Sequence, residues 1–206
     1  MKAVLYSPTP RKYVLMRNLS RLSPRLVYSP LSMARLVEMP EPELINDEWV
    51  KIRVSLSGIC GSDLGGLNAQ ESFYLEPFTS KNFVMGHENV GVITKVGKKA
   101  KGLKPNDRAT VIPFLSCIQR GFKRPCIYCS KGSYALCENV NEGKLSRGMG
   151  IGWNNLTSGG WSEYFVAHHS NIVKLPDKIS DEEAIMIDSF SCALHAVMHN
   201  APKNND

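Results

Sequence analysis

The stretch from residue 49 to residue 63 reads Trp-Val-Lys-Ile-Arg-Val-Ser-Leu-Ser-Gly-Ile-Cys-Gly-Ser-Asp. Its first nine residues alternate apolar and polar side chains, a pattern typical of a β-strand with one buried face. The strand pattern runs directly into Gly58-Ile59-Cys60-Gly61-Ser62-Asp63, so a thiol, a hydroxyl and a carboxyl group follow it closely. This segment therefore joins a strand to side chains that can bind metal or transfer a proton.

Similar strand patterns recur along the rest of the chain. They predict further strands at residues 1–6, 89–97, 108–113, 161–167 and 172–175. Residues 11–35 lack clear periodicity, and we expect a long hairpin or loop there. Ser180-Asp-Glu-Glu183 matches a capping box and predicts one helix that runs to about His199. The sequence thus predicts a mainly β protein with short helices.

Length, composition and charge limit the classes of protein to which this chain can belong. The 206-residue chain is 43% hydrophobic, which suffices for one core, and it has no apolar run of membrane-spanning length. The N-terminus lacks the apolar segment of a secretory signal, so we expect a cytoplasmic protein. The net charge is +6, with two short basic clusters: Lys98, Lys99, Lys101 and Lys104, then Arg120, Lys123 and Arg124. We interpret both as solvated surface, with neither nucleic acid nor membrane as partner.

Cysteine spacing points to a metal. Six cysteines are present, and four of them lie close together: Cys117, Cys126, Cys129 and Cys137. A C-x2-C-x7-C spacing suits thiolate zinc ligands, and the first of the four could complete a tetrahedron. The surrounding segment is Gly-rich and needs a source of order other than a core. A set of thiols without metal is the alternative, and we favour a structural-zinc lobe at residues 114–145.

A second, dispersed set of residues is a weaker signal when taken alone. Cys60 follows a strand, and His87-Glu88 follows Gly86. One Cys and one His are ordinary catalytic zinc ligands, but such a site needs a third ligand and an open position. A lone Cys is usually a small buried residue, and a lone His usually has a structural role. Residue chemistry alone therefore does not decide whether Cys60 and His87 form a zinc site.

Several motifs in order identify a family. They are Gly58–Asp63, Gly86-His87-Glu88-x-x-Gly91, Val96-Gly97, Asn106-Asp107-Arg108 and Gly160–Tyr164. Together they resemble the catalytic-domain signature of the zinc-dependent medium-chain alcohol dehydrogenases, a family that includes sorbitol and threonine dehydrogenases. The resemblance covers about residues 36–200. It implies a GroES-like, partly open β-barrel, followed by a helix that leads toward a Rossmann domain.

The resemblance also implies roles for individual residues. It assigns a catalytic zinc to Cys60, His87 and Asp188. Ser62 would take the substrate proton, Asp63 would steady the site, and Glu88 would lie beside the metal. The structural zinc would be held by Cys117, Cys126, Cys129 and Cys137.

Other candidate ligands lie near these positions. Cys192 is one helical turn after Asp188 on the same face and is the alternative third ligand. His195 shares that face, where we expect it to pack or to form a hydrogen bond. His168 and His169 follow a strand, and we expect both to face solvent.

Two departures from the family pattern are visible. Family members often carry a His five residues after the first zinc Cys, whereas this chain has Gly65, so the proton relay must end differently or use water. The first of the four structural cysteines would normally fall at Lys123. Cys117 lies earlier, so residues 118–124 would have to loop out.

The implied function belongs to a larger protein. Residues 1–200 would form the GroES-like zinc-binding catalytic domain, and residues 201–206 would begin a linker to a Rossmann domain that is absent. The run Gly148-Met-Gly150-Ile-Gly152 does not complete a dinucleotide motif, because Trp153 stands at the third glycine position. No cofactor-binding residue is therefore assigned, and we expect this chain alone to be inactive.

We expect the catalytic part of an NAD- or NADP-linked alcohol or polyol dehydrogenase, in which zinc polarises an alcohol or carbonyl oxygen for hydride transfer. The full-length protein would be a homodimer or homotetramer with a small-molecule substrate. Two alternatives remain: a zinc-free or noncatalytic GroES-like module, and a basic zinc ribbon that binds nucleic acid. The second leaves Cys60 and His87 without a role.

Overall fold

The computed structural model describes residues 1–71 and 78–200. The linker expected at residues 201–206 lies outside this part of the chain. Within it, no helix is both long enough and apolar enough to cross a bilayer.

The described strands form two antiparallel sheets with open edges. The first has the order β2-β1-β4 and consists of β1 (Lys2–Tyr6), β2 (Ala34–Glu38) and β4 (Phe83–Val84). The second has the order β7-β3-β5-β6-β8 and consists of β3 (Trp49–Ser57), β5 (Asn89–Val96), β6 (Arg108–Val111), β7 (Tyr164–His168) and β8 (Ile172–Lys174). The sequence predicted every strand of the second sheet but neither β2 nor β4. The expected mainly β architecture, open rather than closed into a barrel, is confirmed.

Helix α1 (Pro10–Leu19) shows that the hairpin or loop predicted at residues 11–35 is wrong. Thr9 caps this helix by accepting a hydrogen bond from the Lys12 amide at 3.3 Å, and Pro10 occupies the first turn. Met16 is fully buried and fixes the helix against the rest of the protein. A short 3₁₀ helix follows at Pro24–Tyr28. The helix was missed because only a few of its apolar residues face the core.

The single helix predicted from Ser180 to His199 is divided into α3 (Asp181–Ala184) and α4 (Ile187–His199). The capping box is confirmed, since Ser180 Oγ accepts from the Glu183 amide at 3.1 Å. Arg108 ties α3 to the sheet through Asp181, at 2.6 Å. No residue of α4 is buried. The two halves thus have different surroundings, since α3 is tied to the sheet and α4 has no buried residue.

Two apolar clusters form most of the core. The larger packs the second sheet against the segment at residues 145–151 and includes Trp49, Ile52, Ile93, Ile151 and Phe165. The smaller joins α1, the first sheet and helix α2 (Gly61–Leu67), and includes Met16, Met33, Leu67, Phe83 and Met85. Because α2 begins directly after Cys60, the smaller cluster holds the start of the candidate site in place.

His168 does not face solvent as expected. It is the last residue of β7, pairs with Trp49 across the ladder, and is 3% exposed. Its ring lies edge-on to the Trp49 ring at a centroid distance of 5.7 Å. Burial lowers the pKa of His168 to about 4, so the ring is neutral at physiological pH. His169, the next residue, is only half-buried.

Asp107, in the turn before β6, makes a contribution to stability that depends on pH. One of its carboxylate oxygens accepts from the Lys104 amide at 2.9 Å and from Lys174 Nζ at 3.0 Å. Burial alone would raise the pKa of Asp107, but these bonds outweigh it and lower the pKa. A lowered folded-state pKa gives stability that is present above the unfolded pKa of about 3.9 and is lost as pH falls through the folded value.

We therefore expect Asp107→Asn to lower the urea midpoint of unfolding at pH 7. The difference from the native chain should shrink steadily below pH 4 and vanish near pH 2. Asp177→Asn, which removes the same charge from an exposed position, is the matched control and should leave the midpoint unchanged. An equal loss of stability at pH 7 and pH 2 would contradict the electrostatic origin.

Candidate active site and metal centres

The pairing of β3 with β5 brings the first candidate site together. The ladder ends at the pair Ser57 and Asn89, so the residues just beyond β3 lie beside those just before β5. A Cys60 thiol, a His87 ring nitrogen and a Glu88 carboxylate oxygen all lie within 4.8 Å of one another. These are three types of zinc-binding group in one place.

His87 is positioned by the turn that precedes β5. Gly86 has a φ of +92°, a left-handed conformation that glycine adopts readily. A β-carbon there would lie 2.7 Å from the Trp161 amide nitrogen, so the backbone could not pack as it does. The buried imidazole of His87 stacks on Trp153 at a centroid distance of 4.3 Å. The sequence does not reveal that Trp153 belongs to the site, because a single Trp in a Gly-rich segment gives no indication that its ring stacks on His87.

Asp63 links the two neighbouring residues of the site. Its carboxylate accepts from the Cys60 amide at 3.0 Å, and its other oxygen lies 3.7 Å from His87 Nδ1. Asp63 is 3% exposed, and burial raises its pKa while the adjacent His87 lowers it. His87 Nδ1 is itself buried without a hydrogen-bond partner. The carboxylate is therefore placed to orient the imidazole.

Glu88 is held near the same point. It is 9% exposed, and its carboxylate accepts from the Ser189 hydroxyl at 3.1 Å. Its backbone carbonyl accepts from the Gly58 amide at 2.9 Å. Glu88 is thus fixed from both sides, by the loop after β3 and by the first turn of α4.

The helical candidates lie close to this group but outside it. Asp188 is half-buried in the first turn of α4. Burial raises its pKa, and the nearby His87 lowers it. Cys192 is exposed, and burial together with the charge of Asp188 raises the pKa of its thiol. His195 is exposed and contacts the His199 ring at a centroid distance of 4.3 Å.

A cavity of about 590 Å³ opens beside the group. Ser62 and Asp63 line it on the side of α2, and Trp153 lines it where its ring meets His87. Ser62 itself is exposed, and Gly65 lies one turn further along α2. A small molecule in this cavity can therefore reach the hydroxyl of Ser62, which lies two residues after Cys60.

The second candidate site is the cysteine cluster, whose four Sγ atoms all lie within 4.8 Å of one another: Cys117, Cys126, Cys129 and Cys137. The Cys117 and Cys137 sulfurs are 3.7 Å apart, much longer than a disulfide bond of about 2.0 Å. Tetrahedral zinc with Zn–S bonds of about 2.3 Å separates its ligand sulfurs by about 3.8 Å. The observed spacing fits such an ion, and Cys117 lies where a fourth ligand would be.

The thiol pKa values also suit a cation. Backbone amides of Cys129 and Glu138 lower the pKa of Cys126 to about 6. Burial raises the pKa of Cys129 and raises that of Cys137 to about 12. Without a cation, these buried thiols resist becoming thiolates side by side. A dication would reverse that balance, because metal binding favours deprotonation.

Arg120 organises the backbone around this cluster. It is fully buried, so its assignment to a solvated basic patch is wrong. Its guanidinium donates to four backbone carbonyl oxygens, those of Leu115, Glu142, Ser146 and Gly148. Lys123 and Arg124 are exposed as expected. Nothing in the sequence separates Arg120 from these neighbours, because its partners are main-chain atoms distant in sequence.

The chain is similar to known dehydrogenases. The family model described as alcohol dehydrogenase GroES-like domain matches residues 46–177. L-threonine 3-dehydrogenase of Photorhabdus laumondii is 33% identical over 164 residues, which cover 79% of this chain and 42% of that protein. A probable D-xylulose reductase A of Neosartorya fischeri is 31% identical over 172 residues, which cover 83% of this chain and 43% of that protein.

Solved structures show the same fold. Galactitol-1-phosphate dehydrogenase from Escherichia coli is 25% identical with a TM-score of 0.65, covering 96% of this chain and 44% of that one. An alcohol dehydrogenase from Escherichia coli CFT073, solved with NADH, is 26% identical with a TM-score of 0.67, covering 100% and 47%. The chain thus spans less than half the length of these relatives.

Substitution of Arg120 tests the organisation of the cysteine lobe. We expect Arg120→Ala to lower the free energy of unfolding by about 3 kcal/mol or more, because each buried carbonyl left unpaired costs about 1–3 kcal/mol. Arg120→Lys should recover only part of this, since an ammonium has fewer donors and no planar fork. Urea denaturation measures both.

Arg124→Ala is the matched control, because it removes an exposed arginine from the same loop. It should change the free energy of unfolding by no more than about 0.5 kcal/mol. If Arg120→Ala and Arg124→Ala had similar effects, the buried guanidinium would not be a structural centre of the lobe.

Proposed function

The chain belongs to the zinc-dependent medium-chain alcohol dehydrogenase family, and we propose that it forms the GroES-like zinc-binding catalytic domain of an NAD- or NADP-linked alcohol or polyol dehydrogenase. In this proposal residues 1–200 are the catalytic domain, which includes a structural-zinc lobe at residues 114–145. The substrate is a small alcohol or carbonyl compound.

The observation that carries the proposal is the close approach of Cys60, His87 and Glu88 beside a cavity lined by Ser62. A thiolate, an imidazole and a carboxylate form a donor set that suits zinc. The open cavity on one side distinguishes this site from the enclosed cysteine cluster, which has four thiols and suits a structural ion. The buried Nδ1 of His87 faces Asp63, the arrangement expected of a zinc-bound histidine that a carboxylate orients.

Zinc held by Cys60 and His87 would supply Lewis-acid polarisation of the substrate oxygen. Asp63 orients His87, because its carboxylate faces Nδ1. This contact favours the tautomer with the proton on Nδ1, which leaves Nε2 free to bind the metal. The same carboxylate accepts from the Cys60 amide, so one buried side chain positions both ligands. The Glu88 carboxyl group lies next to Cys60 and His87.

Ser62 transfers the proton in this proposal. Its hydroxyl lines the cavity and is open to solvent, so it can accept the proton of the substrate hydroxyl at Oγ and release its own to water. Gly65 leaves no side chain to continue a relay along α2. Water therefore completes the path.

We assign the third protein ligand to Asp188, with Cys192 as the competitor. Asp188 is half-buried, and its carboxyl group is influenced by both His87 and Glu88. Cys192 lies one turn further along α4 and is exposed. Glu88, already beside Cys60 and His87, serves as the adjacent acid.

The hydride acceptor is a nicotinamide that a further domain of the full-length protein would bind. The E. coli CFT073 relative was solved with NADH. The full-length protein would use NAD or NADP and would assemble as a homodimer or homotetramer.

The metal content of the purified chain tests the two sites. We expect two zinc ions per chain by elemental analysis. Cys60→Ala and His87→Ala should each remove one of them, and Cys126→Ala should remove the other. Dialysis against a chelator should destabilise the native chain, because bound metal contributes to folding.

Cys192→Ala removes the competing candidate ligand, and with Asp188 as the third ligand it should retain both ions. Retention of two ions after Cys60→Ala would refute the catalytic site. A zinc ribbon that binds nucleic acid would instead show salt-sensitive DNA binding that depends on Cys126 and not on Cys60.

The third ligand can be identified by affinity. We expect Asp188→Asn to weaken zinc binding at the catalytic site by at least about tenfold in a competition titration, because it removes a charged ligand. Cys192→Ser should bind zinc as the native chain does. The opposite pattern would assign the ligand to Cys192, and a large loss only with Glu88→Gln would assign it to Glu88.

A further inference from the structure

One wall of the cavity beside Ser62 comes from the N-terminal part of the chain. Pro8, Pro10 and Tyr13 line it, and all three belong to α1 or to the turn before it. The family model begins at residue 46, so these residues lie outside the segment that it matches.

Helix α1 is anchored firmly enough to serve as a wall. Met16 inserts into the smaller apolar cluster, and Ser20 Oγ donates to the Asn68 carbonyl at 3.3 Å, next to the end of α2. The turn before the helix is tied to the first sheet by the Ser7 amide, which donates to the Met33 carbonyl at 2.8 Å. These contacts fix α1 against the helix that carries Ser62.

The cavity is predominantly apolar. Besides the three residues from the α1 region, the apolar side chains that line it within residues 1–71 and 78–200 are those of Tyr6, Phe78, Phe83, Met85, Phe114, Met149 and Trp153. A volume of about 590 Å³ lies within the usual range for small-molecule sites. It is much larger than a two- or three-carbon alcohol needs.

Three hydroxyl groups around the cavity have partners within the protein. The Tyr6 hydroxyl donates to the Gly66 carbonyl at 3.2 Å, and the Tyr13 hydroxyl donates to the Glu71 carbonyl. Burial raises the pKa of Tyr6 to about 12, so this phenol is neutral. The Ser80 hydroxyl donates to the Arg147 carbonyl. Because these three hydroxyls already donate to carbonyl groups, a ligand beside them meets mainly rings and aliphatic groups.

Of the three charged residues described in the cavity lining, Asp63 is buried and accepts from the Cys60 amide, whereas the other two are exposed. Glu71 and Lys81 both reach solvent, where water hydrates their charges. A polyol or an amino acid in the cavity would lose the hydration of its hydroxyl, ammonium or carboxylate groups without equivalent partners, which is unfavourable. An apolar group would gain by leaving water.

We infer that the cavity is a pocket for alcohols or aldehydes with a bulky apolar group, aryl or long aliphatic, and that Tyr13 of α1 is a specificity-determining residue. The inference rests on the proposed function, since it takes the cavity beside Ser62 as the substrate pocket. The reacting hydroxyl lies toward Ser62, and the apolar group lies toward α1. The named relatives act on threonine and xylulose, so this chain would differ from them in substrate class.

Binding to the zinc-loaded chain tests this inference. Cinnamyl alcohol is the apolar probe, and xylitol and L-threonine are the polar probes, each followed by ligand-observed and protein-observed NMR titration. We expect saturable binding of cinnamyl alcohol at least about tenfold tighter than that of either polar probe. Tighter binding of xylitol or threonine would overturn the inference and leave the proposed dehydrogenase function intact.

Variants of α1 measure how much this helix contributes to the binding of cinnamyl alcohol. Tyr13→Ala should weaken cinnamyl alcohol binding about tenfold, whereas Tyr13→Phe should retain it, because the ring and not the hydroxyl contacts the ligand. Val14→Ala, at the next position but 58% exposed, is the matched control and should bind as the native chain does. Equal binding by Tyr13→Ala and Val14→Ala would contradict the role of Tyr13.

A second variant tests the pocket without changing a residue of α1. Met149 lines the cavity from a different segment, so Met149→Ala should also weaken binding while circular dichroism shows α1 unchanged. Unaltered binding in Met149→Ala would mean that the probe binds elsewhere and would overturn the proposal. Absence of zinc at Cys60 and His87 in the native chain would instead refute the proposed function, and the inference with it.

Discussion

The antiparallel pairing of β3 with β5 is the constraint on which the candidate active site depends. Cys60 and His87 are far apart in sequence, and each lies just beyond the end of its own strand. The ladder that closes at Ser57 and Asn89 leaves these two ends side by side. Gly86 then turns the chain so that His87 points at Cys60 rather than away from it. A shift of one residue in this register would move alternate side chains to the opposite face and separate the group.

A different principle orders the cysteine lobe. The segment between β6 and β7 has little regular structure. Leu115, Leu145 and Ile151 pack into the larger apolar cluster, but the interior around the cysteines is formed by thiols and by one buried guanidinium. Arg120 satisfies carbonyl groups that a helix or sheet would otherwise have paired within itself. Burial lowers the pKa of Arg120, and the nearby Cys137 and Cys117 oppose that shift. Around the cysteines, main-chain hydrogen bonds and metal-binding groups thus replace an apolar core.

The sequence predicted most of the second sheet because its strands carry a local signal, the alternation of apolar and polar residues. It also marked Cys60, His87 and the cysteine spacing as candidate ligands, through motifs and the family resemblance. Helix α1 was missed, although Thr9 and Pro10 form a recognisable helix start, because residues 11–35 lack a clear helical periodicity. Burial of His168 and Arg120 could not be predicted, because it depends on contacts with residues far away in the chain. The position of Trp153 on His87 is of the same kind.

The dependence of the lobe on Arg120 has a consequence for how the chain opens. Four carbonyl groups spread over more than thirty residues share one side chain, so displacement of the guanidinium releases all four together. We expect fluctuations that displace it to open the region as one unit. Its amide hydrogens would exchange with solvent as a single cooperative unit, distinct from the sheet beneath it, rather than fraying gradually from an end.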